Sequence, residues 1–265
     1  MSATDRARAW VASRHGRFFA ARLAAAAEKY LKAYNNLGNM DMTRNGELNA
    51  LRLVLRHVEG EVIDAGANEG QWLRAVHPFA AGRTIHSFEP VPQTFTVLRE
   101  NAGHLPGVRL VNAGLGAREE DIVLNVNPLA SDMASAYPVV DWQEGARPVR
   151  CRITTGDAYL RRRGIAQVAL LKIDVEGMEA DCLSGFEESF RAGGIACGQF
   201  EHGPSHVYSG HTLKYFLDWM EERGMTLFRV FPGKLEPLRY NPRRESFEVQ
   251  NLFAIRRDVV ATLGL

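Results

Sequence analysis

Five polar residues recur at the same place in five hydrophobic segments. Asp64, Glu89, Asn112, Asp174 and Glu201 each stand where a short apolar run, read as a buried strand, comes to its end. Parallel strands joined by crossover helices bring their C-terminal ends to one edge, where ligands bind, so these side chains are expected to share one site. Around the first of them the order is Asp64-Ala65-Gly66-Ala67-Asn68-Glu69-Gly70, a glycine-bearing turn leading into a helix over residues 71–77. Such a turn offers backbone N–H groups at a helix N-terminus, and its glycines allow close approach. Glu89, ending the next strand, is placed to accept hydrogen bonds from both hydroxyls of a ribose. The combination marks a nucleoside cofactor.

The turn also indicates which cofactor. A dinucleotide site requires G-x-G-x-x-G, because its second glycine lets the backbone approach a pyrophosphate. Here that position is Asn68, and an acid leads the turn, which would set two negative charges side by side. An acid suits a cofactor with a cationic centre and an ammonium group, as S-adenosylmethionine has. Asp64 is then expected to orient the methionyl ammonium, directly or through water. Gly66, Ala67, Asn68 and Gly70 frame the methionine moiety, Glu89 holds the ribose, and Asn112 and Ala113 flank the adenine. The rival readings are a nicotinamide-dependent oxidoreductase and a non-catalytic S-adenosylmethionine-binding module. Methylation of nitrogen is a third, but the Asn-Pro-Pro-Tyr type of motif that holds an amine is missing from the sequence.

Methyl transfer to an aliphatic hydroxyl needs a group that takes up the proton as the oxygen attacks. Asp174 lies at the strand end nearest the expected sulfonium and is expected to orient the cofactor or act in catalysis. His202, directly after Glu201, is a candidate general base that Glu201 would orient. Lys172 shares a strand face with Asp174 and can pair with a carboxylate. His206 and His211 are expected to line the acceptor pocket or cap the following helix. Tyr137, Trp142, His206 and Tyr208 are expected over the acceptor, where aromatic faces stack on sugar rings.

The elements that must position these residues follow from periodicity. At 265 residues the chain suffices for one α/β domain with appendages. Residues 1–58 read as helices (7–34 and 48–57), forming a cap, a lid or a dimerisation extension; a homodimer is one expectation. Residues 59–265 alternate strands with helices, and the strands over 226–231 and 248–255 read as a closing antiparallel hairpin. The stretch 127–145 reads as a long functional loop. Lys and Arg number 32 against 31 Asp and Glu, so no basic field points to nucleic acid. Arg161, Arg162 and Arg163 sit where a helix should end, which cations favour. Cys151, Cys182 and Cys197 lack metal or disulfide spacing and read as buried thiols. No segment reads as a signal peptide or a transmembrane span, and a cytoplasmic location is expected.

Three stretches resemble the FkbM-type methyltransferase family: Val62 to Gly70, Phe88-Glu89-Pro90-Val91-Pro92, and Leu171-Lys172-Ile173-Asp174-Val175-Glu176-Gly177-Met178-Glu179, the family's most specific signature. Asn112 to Gly116 is similar to the segment after its third strand. The resemblance covers roughly residues 46–256. It implies a class I, Rossmann-like methyltransferase fold, with a seven-stranded, mostly parallel sheet whose last strand is antiparallel. It also implies S-adenosylmethionine as donor and a hydroxyl of a sugar, glycan or natural product as acceptor. By analogy with macrolide-sugar O-methyltransferases, Asp174 and Glu201 would supply ligands to Mg²⁺.

Overall fold

The computed structural model describes residues 2–80, 82–127, 134–137 and 145–265. Strand β1 (Glu61–Ala65) pairs in parallel with β2 (Ile85–Phe88) and, on its other side, with β8 (Val168–Ile173). β3 (Val108–Val111) extends the sheet beyond β2, and β9 (Cys197–His202) extends it beyond β8. The chain thus builds outward from β1 in one direction and then in the other. The order reverses between β1 and β8, and that crevice is where an open α/β sheet binds its ligand.

The remaining strands complete eight, in the order β11-β10-β12-β9-β8-β1-β2-β3. β12 (Gln250–Arg256) inserts antiparallel between β9 and β10 (Met225–Phe231). The antiparallel last strand of a class I methyltransferase sheet is therefore present. The expected closing hairpin is not formed by these two strands in succession: β10 turns back into β11 (Lys234–Pro237), an eighth, edge strand. β11 escapes sequence reading because four residues ending in proline carry no period-2 signal, and proline is tolerated only at an edge. A second sheet, β4-β7-β5-β6, joins Gly114–Leu115, Arg147–Thr154, Glu120–Val126 and Ala134–Ser135.

Two apolar layers enclose the main sheet. One face carries α6 (Gly156–Arg163), α7 (Glu179–Ser184), α8 (Glu187–Arg191) and α10 (Leu213–Glu222), with Leu160, Leu183, Phe190 and Phe216 in the core. The other carries α3 (Glu47–Leu55), α4 (Gln71–Val76), α5 (Pro92–Ala102) and α11 (Arg257–Leu263), through Leu51, Leu73, Leu98 and Val259. α6 and α10 begin at Thr155 and Thr212, whose hydroxyls accept from Ala158 N and Tyr215 N. α9 (Ser205–Ser209) follows β9. Of the first three helices only α3 enters the core; α1 (Ala3–Ala12) and α2 (Phe18–Tyr34) bury no side chain. The three cysteines are free and buried, as expected.

Candidate active site

Lys172 sits under the switch point, on the β8 side chain row that faces α3 and α4. Its ammonium lies 3.3 Å from Asp64 Oδ1 and 3.4 Å from Asp174 Oδ2, and donates to the Gly66 carbonyl at 2.7 Å. Burial alone would depress the lysine, but the two carboxylates outweigh it and hold it above its ordinary range. Asp64 is fully buried, and its Oδ2 accepts a hydrogen bond from Ser87 Oγ at 3.0 Å. Burial raises its carboxyl above the usual range, with Lys172 pulling the other way. At Gly66 (φ 80°) an added Cβ would lie 1.8 Å from the Asp174 carbonyl oxygen, so only glycine lets the β1 and β8 loops touch here. The sequence puts one acid at each of two strand ends, and lysine plus glycine lock them together.

Gly66, Asn68, Glu89, Pro90 and Asp174 line a cleft above this lock, opposite an apolar wall of Leu115, Ile122, Leu124, Ile153 and Met178. The cleft has a volume of about 110 Å³. Glu89 is nearly buried; its two oxygens accept from Asn68 N at 3.0 Å and Val91 N at 2.9 Å. Burial pushes its carboxyl up to about 7. Asn68 adopts a left-handed conformation (φ 47°), and its buried Oδ1 lacks a hydrogen-bonding partner. Asn112 Nδ2 donates to the carbonyls of Glu89 at 2.9 Å and Pro90 at 3.2 Å, fixing the corner that carries the carboxylate.

The cleft fits a nucleoside carrying a methionyl group. It offers a carboxylate for hydroxyls, an amide oxygen unpaired among the described residues, the half-buried acid Asp174 and an apolar wall for a base. Several residues expected to touch that group stand behind it instead. The Asp64 carboxylate is spent on Lys172 and Ser87 and does not line the cleft, so Asp174 is the acid that faces it. Ala67 is buried in the core, and Gly70 is needed because a Cβ there would come within 2.8 Å of Leu98 Cδ1 in α5. Gly114 and Leu115 line the cleft, whereas Asn112 and Ala113 face a separate hollow with Arg152, Tyr159 and Arg163.

Glu201 occupies the end of β9 on the same sheet face as Gln199 and accepts no hydrogen bond from the described residues. Burial raises its carboxyl well above the ordinary range, and the negative charges of Asp174, Glu179 and Glu47 push the same way against Lys172. His202, its neighbour, points to the opposite face. It is fully buried and stacked on His206 at 4.7 Å and Phe247 at 5.5 Å between ring centroids. Burial pushes its pKa down to about 3. Strand alternation explains the separation: adjacent residues cannot share a face, so Glu201 does not orient His202.

The expected Mg²⁺ site at Asp174 and Glu201 finds no support. Among the described residues no three His, Cys, Asp or Glu side chains are grouped to hold a metal ion. The cation set beside Asp174 is the Lys172 ammonium. His206 is buried, 3.0 Å from Glu179 Oε2, and does not line the cleft. Tyr137 packs on Gly177, Tyr208 is exposed, and Trp142 lies outside the described residues. A larger cavity, about 800 Å³, lies elsewhere, between the end of α2, β11 and residues 239–246, and shares no lining residue with the cleft. Arg161, Arg162 and Arg163 go to Glu188, Glu119 and the Tyr159 ring respectively, so two of the three are surface ion pairs.

Three contributors carry little sequence signal. Glu179 accepts from Val175 N at 3.0 Å and Gly177 N at 2.9 Å, and so holds the loop after Asp174, where Glu176 is left-handed (φ 53°). In the sequence it stands at the end of the signature stretch, five residues after Asp174, with nothing to mark its role. Ser135 Oγ donates to the Glu176 carbonyl at 2.8 Å, clasping the same loop from β6. Glu47, buried at the start of α3, accepts from Gln199 and Asn251 at 2.8 Å each and from Asn45, tying the upstream segment to β9 and β12.

The family described as "Methyltransferase FkbM domain" matches residues 64–227. The chain is 27% identical over 150 residues to the hexuronic acid methyltransferase AglP of Haloferax volcanii, covering 56% of this chain and 59% of that one. It is 28% identical over 170 residues to the 31-O-demethyl-FK506 methyltransferase FkbM of Streptomyces tacrolimicus, covering 52% and 65%. The chain therefore spans less than two thirds of these relatives' lengths. Among solved structures it is similar to the methyltransferase SMU.1697c of Streptococcus mutans in complex with SAH, with a TM-score of 0.46, 8% identity, and 80% and 98% coverage.

Proposed function

Because the chain belongs to the FkbM family of S-adenosylmethionine-dependent methyltransferases, we propose that it methylates a hydroxyl oxygen of a sugar, glycan or natural product, with Glu201 as general base. The observation that carries this reading is Glu201 itself: a strand-end carboxylate with a raised pKa, no hydrogen-bond donor among the described residues, and Asp174 of the donor cleft among its electrostatic neighbours. The two relatives' names agree with it, one acting on a hexuronic acid and the other on a demethylated oxygen.

The donor, when bound, supplies a methyl group on a sulfonium and leaves as S-adenosylhomocysteine. Everything else falls to the chain. Glu89 and Asn68 hold the ribose side, and Asp174 faces the methionyl ammonium. Lys172 keeps Asp174 and the Gly66 turn in register. As the acceptor oxygen forms its bond to the methyl carbon and the carbon–sulfur bond breaks, the hydroxyl proton passes to Glu201. A raised pKa makes that carboxylate a stronger proton acceptor than an ordinary glutamate.

The test is transfer of labelled methyl from S-adenosylmethionine to a panel of uronic acids, oligosaccharides and macrolide alcohols. Glu201→Gln should lower kcat by about 10²–10⁴ while leaving donor affinity intact. Transfer to nitrogen only, or a Glu201→Gln enzyme as fast as the parent, would overturn the assignment.

A further inference from the structure

The helical arm formed by α1 and α2 is left without a partner. It is tied to the body only near its end: Lys32 Nζ lies 2.8 Å from Glu248 Oε1, Arg229 donates to the Asn35 carbonyl at 2.5 Å, and Gly38 N to the Val249 carbonyl at 2.7 Å. Eight of the thirteen large apolar side chains exposed among the described residues belong to it. Phe19, Leu23, Tyr30 and Tyr34, at i, i+4, i+11 and i+15, fall on one face of α2, and all four are at least 67% exposed. Arg22, Lys29 and Lys32 fall on the other. Helices in proteins draw most of their stability from packing an apolar face, so something covers this one.

Charge selects what that is. Residues 2–34 contain seven Lys or Arg against two acids, leaving 25 against 29 for the rest of the chain. Two such arms packed face to face would repel. Among the described residues the body of a second copy offers no matching apolar patch: outside the arm the exposed large apolar side chains are Met40, Val123, Val207, Tyr208 and Leu265, dispersed along the chain. An anionic bilayer surface offers both an apolar boundary and negative headgroups. Neither helix is long and apolar enough to cross it. The aromatic-to-cation pairs suit a headgroup boundary: the Arg14 guanidinium sits 3.7 Å over the Trp10 ring and that of Arg22 5.3 Å from Phe18.

We propose that the α1–α2 arm is an interfacial anchor that seats the protein on membranes containing anionic phospholipid. Its Phe19–Leu23–Tyr30 face lies at the acyl boundary and its arginines at the headgroups. The full-length protein should co-float with phosphatidylcholine–phosphatidylglycerol vesicles and not with pure phosphatidylcholine vesicles, and high salt should release it. Arg8→Ala combined with Arg17→Ala should weaken partition about thirtyfold, at roughly one headgroup contact per arginine. Phe19→Glu combined with Tyr30→Glu should abolish it while S-adenosylhomocysteine binding stays at the parent value, which shows that the body is folded. Protein that remains unbound by anionic vesicles overturns the proposal. So does a lipid-free dimer, seen by sedimentation, that Phe19→Glu with Tyr30→Glu converts to monomer.

Discussion

The ion triad beneath the switch point makes a prediction with a definite size and pH dependence. Lys172→Met leaves Asp64 as an isolated carboxylate with no exposed surface, 3.3 Å from where its counter-charge stood. At an effective dielectric of about 20, that attraction is about 5 kcal/mol. Breaking a buried pair by removing one partner typically costs about 3–5 kcal/mol, a large share of a domain's total stability. Asp64 can escape only by taking a proton. From an ordinary carboxyl pKa, that costs about 5 kcal/mol near pH 8 but only about 1.5 kcal/mol near pH 5. In the variant the folded pKa of Asp64 therefore lies further above its unfolded value. The stability it retains is complete below the unfolded pKa and is lost as pH rises through the folded one. The variant's deficit should thus be about 3–5 kcal/mol near pH 8 and shrink to about 1.5 kcal/mol near pH 5. Urea unfolding followed by circular dichroism and by tryptophan fluorescence reads this, and Trp72 lies 5.9 Å from the lysine Nζ. Adding Asp64→Asn to Lys172→Met removes the stranded charge and should restore most of the loss. A deficit independent of pH, or a double variant no better than the single one, would refute the triad as the keystone of the fold's binding edge.

Glu89→Gln should weaken S-adenosylhomocysteine binding by about 1.5–3 kcal/mol, the value of hydrogen bonds to a charged group. Because burial holds the parent's Glu89 at about 7, its affinity should fall as pH drops through that value, whereas calorimetry on Glu89→Gln should give a flat profile. His202→Phe should preserve kcat, since that ring faces the core. It should also remove one source of acid lability, because a histidine held at about 3 opposes folding once pH falls below its unfolded value of about 6.5. A kcat collapse in His202→Phe would return it to the candidate bases. Gly66→Ala, whose Cβ would overlap the Asp174 carbonyl, should not accumulate as folded protein, and a soluble variant with parental thermal stability would show that the β1 and β8 loops do not cross as described.

The positions of the chemistry were readable, but which atoms do it was less so, and the reasons are physical. Strand ends are marked by a change from apolar to polar, and that change located Asp64, Glu89, Asp174 and Glu201 on one edge of the sheet. Whether a strand-end acid faces the ligand or lies under it depends on a partner from another strand. Lys172 captures Asp64 from across the β1–β8 pairing, where Asp64 stands opposite Lys172 in register. Lys172's own sequence neighbourhood indicates only that it shares a face with Asp174. His202 shows a related effect: adjacency in sequence suggests a carboxylate–imidazole pair, but in a strand adjacency means opposite faces. The same alternation, applied strictly, puts Glu201 with Gln199 and Lys172 with Asp174, which is where the structure has them. Glu47 lay beyond reach because its partners, Gln199 and Asn251, lie more than 150 residues away in β9 and β12. Its buried carboxyl, raised by burial above its ordinary range, is stable only because three side-chain amides converge on it, and no local pattern encodes such convergence. The residues that hold this site together are thus mostly those whose partners are distant in sequence, while the residues that face the ligand are marked locally by the strand end.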